Sequence, residues 1–172
     1  MSIDDDHYKL IRANVMTALK AVGAMIQPYE SVLEIGPDDD FTLKSIVLKG
    51  DNRITYAAID NRRRSGSVGI ADICNNQLEN EYDYVVACEV LEHCEDPTKA
   101  IIEMVRLAKQ WVVITVPFNF RIHGPLPDNW RITPPAIAIH LRNICKYVEI
   151  QTICSPDRPL MPICFTVWAR PK

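Results

Sequence analysis

The sequence predicts an α/β fold of the doubly wound kind, a mostly parallel sheet with helices on both faces. Three observations carry this expectation. Short apolar runs of strand character alternate with stretches whose apolar residues recur at helical spacing. The residues just past successive runs are glycine or acidic, as befits strand ends that line one crevice. The composition, 48% apolar and 24% charged over 172 residues, is that of a globular chain able to fill one core.

Between Leu10 and Ile26 the apolar residues Ile11, Val15, Leu19, Val22 and Ile26 recur at steps of four, four, three and four. That is one face of an amphipathic helix, with Asp4 to Asp6 near its positive end and Pro28 closing it. Ser31 to Gly36 reads as a buried strand, Phe41 to Leu48 as a helix, and Ile54 to Ile59 as a second strand ending at Asp60. Ser67 to Ile70 is a weaker strand before Asp72, and Tyr82 to Ala87 is a fourth. Asp96-Pro97 supplies a helix cap and first-turn proline, behind which Ile101, Met104, Val105 and Ala108 line one face. Trp111 to Val116 is a fifth strand, stopped by Pro117. Nine of the twelve prolines lie from Pro117 onward, so the last third reads as loop-rich. It retains a helix over Pro134 to Cys145, and Tyr147 to Ile153 with Ile163 to Ala169 read as an antiparallel strand pair joined by a Pro-rich connection. One domain is expected over residues 1–172, with an N-terminal helix to residue 30, a cofactor-binding core over 31–117 and an acceptor-side region over 118–172.

The charge balance, 22 acidic against 19 basic residues and a formal net charge of −3, argues against a nucleic-acid clamp. Arg62 to Arg64 is the only basic cluster and lacks interleaved aromatics. The six cysteines form no C-x-x-C pair and sit mostly in apolar runs, which predicts buried reduced thiols. No uncharged apolar stretch reaches the ~18 residues that would span a bilayer, and the N-terminus is acidic; a soluble, cytoplasmic protein is expected. Glycine is scarce, six residues where usual proportions give about twelve.

Ligands of open parallel sheets bind beyond the carboxyl ends of the strands. This directs attention to Glu34 and Gly36, Asp60, Asp72, Cys88 and Glu89, and the stretch from Pro117 to His123. Asp60 lies 24 positions beyond Gly36, where a carboxylate can accept both hydroxyls of a ribose. A nicotinamide dehydrogenase is disfavoured, because no G-x-G-x-x-G follows the first strand.

The segments Val32-Leu-Glu-Ile-Gly-Pro37, Ala58-Ile-Asp60, Ala71-Asp72-Ile73 and Tyr82-Asp-Tyr-Val-Val-Ala-Cys-Glu-Val-Leu-Glu-His93 resemble the successive motifs of class I S-adenosylmethionine-dependent methyltransferases. The likeness continues through Asp96-Pro97, Ile114-Thr-Val-Pro117 and the block from His123 to Thr133. It implies a Rossmann-like, seven-stranded sheet whose last strand is antiparallel. It also implies S-adenosylmethionine as cofactor. Asp60 would hold the ribose, Asp72 and Ile73 would flank the adenine, and backbone around Gly36 and Cys88 would lie along the methionine moiety, with Glu34 and Glu89 as further cofactor-binding residues. The first motif departs from the family's E-x-G-x-G-x-G: here it reads Glu34-Ile-Gly36-Pro-Asp38-Asp-Asp40. These carboxylates either repel the methionine carboxylate or serve, through Asp39 or Asp40, as a cap for the next helix.

The expected reaction is methyl transfer to oxygen or nitrogen of a small-molecule acceptor, such as a sugar or other metabolite. The alternative is an inactive methyltransferase-like binding or scaffold domain. His93 and His123 are the candidate bases, since imidazole titrates near neutrality, and Asp128, Trp130 and Arg131 would close the acceptor side. Glu89, Glu92 and His93 share a face if their segment is helical, and oxygen with imidazole suits a divalent ion. A similar E-x-x-E-H motif holds a metal in some O-methyltransferases, and His123 would then be a further ligand or a general base; the motif is also widespread without a metal, so the reading favours a metal-free site. The cleft is short of insertions, and a partner chain could complete it; oligomeric state is left open.

Overall fold

A computed structural model describes residues 3–40, 42–49, 51–62, 68–124, 126–155 and 157–172. In chain order the elements are α1 (Ile3–Met25), β1 (Ser31–Ile35), α2 (Thr42–Leu48), β2 (Thr55–Asp60), β3 (Val68–Ile70), β4 (Tyr82–Cys88), α3 (Pro97–Leu107), β5 (Ala108–Pro117), α4 (Pro134–Leu141), β6 (Cys145–Ser155) and β7 (Arg158–Pro171). Single 3₁₀ turns lie at Ile73–Asn75 and Leu91–His93.

The seven strands form one sheet in the order β3-β2-β1-β4-β5-β7-β6. The first five neighbours pair in parallel, and β7 runs antiparallel to both β5 and β6. This is the doubly wound sheet with a reversed last strand that the sequence predicts. Strand order reverses between β1 and β4, so a crevice opens above their carboxyl ends.

The period-2 alternation of a strand divides the core between two faces. Leu33, Ile35, Val85, Ala87, Val112 and Ile114 pack under α3 and α4, against Ile101, Met104, Leu107, Ile137 and Leu141. Val32, Tyr84, Val86 and Val113 point the other way, against Val15, Leu19 and Val22 of α1 and Leu43 and Val47 of α2. Each fully buried Leu or Ile contributes about 1.5–3 kcal/mol over an exposed one. The α1–α2 contact explains one of the few glycines: a Cβ at Gly23 would stand 2.3 Å from Ile46 Cγ2. Buried polar groups fasten α1 to the far edge of the crevice. His7 Nδ1 bonds the Asn119 carbonyl at 2.7 Å, and the Thr166 hydroxyl donates to Asn14 Oδ1 at 2.9 Å.

Several boundaries differ from the sequence reading. Helix α1 starts at Ile3 and ends at Met25, short of Pro28. Asp96 caps α3 as expected, accepting from Lys99 N–H, but β5 begins directly at Ala108, whose extended backbone pairs with Tyr82. Helix α4 stops at Leu141 because Cys145 is drawn into pairing with Pro171. The expected Pro-rich connection is a tight hairpin instead. Register shifts at Ile153 to Ser155 let Cys154 oppose Pro162, which cannot donate to a ladder. All six cysteines are free thiols. Arg63 and Arg64 of the basic run, and Ser67 of the third strand, lie outside the described residues. Among those described, no helix is long and apolar enough to cross a membrane.

Candidate active site

A cleft of about 250 Å³ opens at the switch point, lined among others by Gly36, Asp60, Asp72, Ile73, Glu89 and His93. Each stands just past a strand. Asp60 ends β2 and is only 4% exposed. Its Oδ1 accepts from the backbone N–H of Arg62 at 2.8 Å and from Arg62 Nε at 3.3 Å. Asp72 caps the first 3₁₀ turn by accepting from Cys74 N–H at 2.9 Å, and Ile73 beside it is buried. Gly36 adopts φ +62°, and a Cβ there would meet Val90 Cγ2 at 2.9 Å. Glycine is therefore required both by backbone conformation and by the closeness of the opposite wall.

Glu34 and Cys88 do not line the cleft. The Cys88 side chain packs toward the α1 and α2 layer, and burial pushes its thiol far up. The Glu34 side chain turns under the sheet end, 5% exposed, and accepts a short hydrogen bond from the Tyr56 hydroxyl. Burial raises its carboxyl to about 7 despite that bond, with a further push from the Asp38 charge. The acidic loop is partly resolved in the helix-cap sense, but through a different residue than expected. Asp38 accepts from Thr42 N–H at 2.8 Å and from Thr42 Oγ1 at 2.6 Å at the start of α2, while Asp39 and Asp40 are exposed.

Beyond β4 the chain turns sharply at Glu89, whose φ is +55°. Its Oε1 accepts from Thr115 Oγ1 at 2.8 Å, and burial raises its carboxyl to about 7. The next turn buries Glu92 completely. Burial, with the Glu89 charge adding to it, holds the Glu92 carboxyl well above the ordinary range.

His93 Nδ1 lies 2.8 Å from the Pro127 carbonyl, which only accepts, so Nδ1 carries the proton and Nε2 the lone pair. His123 stacks edge-to-face on His93, ring centroids 5.2 Å apart, but does not line the cleft. Its Nδ1 faces Asp128 Oδ2 at 2.8 Å in an ion-pair contact rather than an aligned hydrogen bond. Asp128 is the hub of this loop. It accepts from His123 N–H at 3.0 Å and makes a two-pronged pair with Arg131, whose second nitrogen lies 2.7 Å away. Burial pushes the Asp128 carboxyl up, and the Arg131 bonds, with help from His123, outweigh it and hold it at about 2. Arg131 also donates to the carbonyls of Phe120, Arg121 and Trp130, and Trp130 Nε1 donates to the Cys94 carbonyl at 2.9 Å. These residues tie the acceptor-side loop to the turn after β4. Asn61, Val90, Cys94, Glu95 and Leu126 also line the cleft and were missed by reading strand ends, because they sit one to several residues deeper in loops.

A family model described as a methyltransferase domain matches residues 51–114, from just before β2 into β5. Solved structures share the architecture. A methyltransferase in complex with the Haloferax volcanii Trm112 methyltransferase activator superposes with a TM-score of 0.69 at 12% identity, covering 98% of this chain and 93% of that one. An S-adenosylmethionine-dependent methyltransferase from Aquifex aeolicus gives 0.63 at 16% identity, with both chains covered completely. This is a class I methyltransferase fold. Magnesium protoporphyrin IX methyltransferase from Synechocystis PCC 6803, which holds S-adenosylhomocysteine, gives 0.63 at 13% identity over 100% of this chain and 89% of that one. No curated protein sequence matches the chain. The cleft lies at the switch point of this fold, where ligands of open α/β sheets bind, and the chain's own residues are compatible with a nucleoside cofactor there. Gly36 leaves backbone bare beside the opening, and a buried carboxylate, Asp60, stands at the end of β2.

Proposed function

We propose that the chain transfers a methyl group from S-adenosylmethionine to oxygen or nitrogen of a small-molecule acceptor. The single observation that carries this reading is Asp60, a nearly buried carboxylate lining the switch-point cleft beside the glycine turn at Gly36. A carboxylate there accepts from both ribose hydroxyls of a nucleoside, and such charged hydrogen bonds are worth about 1.5–3 kcal/mol each. The Asp72 and Ile73 turn supplies the next wall. The cofactor's sulfonium provides the methyl group; the protein's part is to align the acceptor and exclude water. His93 lines the cleft with a free Nε2 lone pair, which suits it to take a proton from a hydroxyl or ammonium acceptor. His123, anchored by Asp128, stands behind it.

Calorimetric titration with S-adenosylmethionine and S-adenosylhomocysteine tests the reading. Micromolar binding is expected, weakened at least tenfold in Asp60→Ala. No heat up to millimolar ligand from folded protein would overturn it and leave the alternative of a methyltransferase-like scaffold.

A further inference from the structure

We propose that Glu92, His93 and His123 form a binding site for one divalent transition-metal ion, zinc in the first place, at the floor of the acceptor side. Each offers one ligand atom, and the three atoms lie within 4.8 Å of one another; among the described residues no other such group occurs. Glu92 is 0% exposed, and neither of its carboxylate oxygens has a hydrogen-bond partner. A buried carboxylate in that condition is costly, whereas one facing a cation is not. Its Oε1 stands 3.8 Å from His93 Nε2. Two donors on one tetrahedral ion, each bonded at ~2.0–2.1 Å, are separated by about 3.4 Å, so side-chain adjustments of a few tenths of an ångström to about 1 Å close the set.

The outer partners make the assignment more specific. His93 Nδ1 is engaged by the Pro127 carbonyl at 2.8 Å, while His123 Nδ1 lies 2.8 Å from Asp128 Oδ2 without an aligned hydrogen bond. The His93 Nε2 is thereby left as a lone-pair donor, and His123 brings one ring nitrogen to the same point. A carbonyl behind a ligating histidine, as at His93, fixes tautomer and orientation at metal centres. Two imidazoles and one carboxylate suit a borderline ion and leave coordination positions open. The donor set differs from the Glu89, Glu92, His93 face that the sequence spacing suggests. Glu89 is itself the left-handed residue of the turn, with its Oε1 committed to Thr115, and His123 arrives from a loop thirty residues on. If the methyl-transfer reading holds, an ion here would take up the His93 Nε2 lone pair and, in place of His93 as base, bind an acceptor hydroxyl and favour loss of its proton to solvent; the metal site itself stands without that reading.

The test uses the full chain, stripped with EDTA and titrated with zinc, then manganese and magnesium, by calorimetry and by thermal shift. One zinc per chain is expected at micromolar dissociation constant or tighter, with a raised melting temperature. Glu92→Gln and His123→Ala should each weaken binding at least tenfold, Asp128→Asn several-fold, and Glu89→Gln less than threefold. Circular dichroism checks that each variant is folded, and Glu92→Gln keeps the shape of the buried side chain. Absence of stoichiometric zinc binding by the folded wild type, or binding indifferent to both Glu92→Gln and His123→Ala, overturns the proposal. Loss on Glu89→Gln with His123→Ala unaffected refutes this donor set. Titration with S-adenosylhomocysteine on the same samples separates failure of the metal site from failure of the cofactor site.

Discussion

Replacing Glu34 by glutamine should flatten the dependence of stability on pH. In the folded protein burial raises this carboxyl from 4.5 to about 7. Between those values the native state keeps a proton that the unfolded chain has released, so stability falls as pH rises through the window. Each pKa unit is worth about 1.36 kcal/mol, so the full loss approaches ~3 kcal/mol, of which about 2.5 kcal/mol falls between pH 5 and pH 8. The substituted amide cannot ionise, yet its carbonyl can still accept from the Tyr56 hydroxyl that bonds Glu34. Glu89 and Glu92 titrate in the same direction but are present in both proteins, so the difference between the two pH profiles isolates Glu34. Urea unfolding at unit pH steps from 5 to 8 measures it. Wild type should lose about 2.5 kcal/mol more than the variant over that range, a difference in melting temperature of roughly 5–10 °C for a chain of this size. Parallel profiles would refute the argument that burial, rather than solvent contact, governs this carboxyl.

Two further outcomes follow from the same loop. Gly36→Ala places a Cβ at φ +62° and 2.9 Å from Val90 Cγ2, so it should cost about 1–2 kcal/mol from conformation alone and weaken S-adenosylhomocysteine binding; adding Val90→Ala should restore the steric part only, as read by denaturant midpoints and calorimetry. Asp38→Ala should cost about 1 kcal/mol through loss of the cap on Thr42, and Asp38→Asn much less, as read by thermal unfolding; equal melting of all three proteins would show that the cap is idle.

Most of the fold was legible because its determinants are local. The short apolar runs of Ser31 to Ile35 and Tyr82 to Cys88, and the helical spacing behind Asp96, are written in consecutive residues and match the elements found. What failed depended on partners distant in sequence. Cys145 leaves the helix pattern because Pro171 pairs with it, and β7 runs through Pro159 and Pro162 because β6 shifts register to accommodate them. The crevice-lining residues Gly36, Asp60, Asp72 and Glu89 were accessible from one rule, that ligands bind past strand ends, and Ile73 from the family resemblance. Glu34 and Cys88 obey the same rule by position but send their side chains elsewhere, which strand periodicity two residues from a turn does not decide. The meeting of His123 with His93 and Glu92 needed the loop that Asp128 and Arg131 fold, and nothing in the spacing of those letters encodes it.

The acidic first loop is the feature that argues most directly against a cofactor site, and its charge is smaller than its letters suggest. Six glycines leave only Gly36 in the turn, followed by Asp38 to Asp40. Gly36 holds the one position where positive φ and the Val90 wall forbid a side chain. Asp38 gives both oxygens to Thr42, and its neighbours Asp39 and Asp40 are exposed, where solvent screens them. Burial raises the Glu34 carboxyl to about 7, which reduces its charge near neutral pH relative to an exposed carboxylate. Of the four carboxyls at the end of β1, Asp38 is therefore the one full charge that is only partly exposed, and two hydrogen bonds already disperse it. A methionine carboxylate approaching this turn meets a capped helix start rather than a wall of free charge.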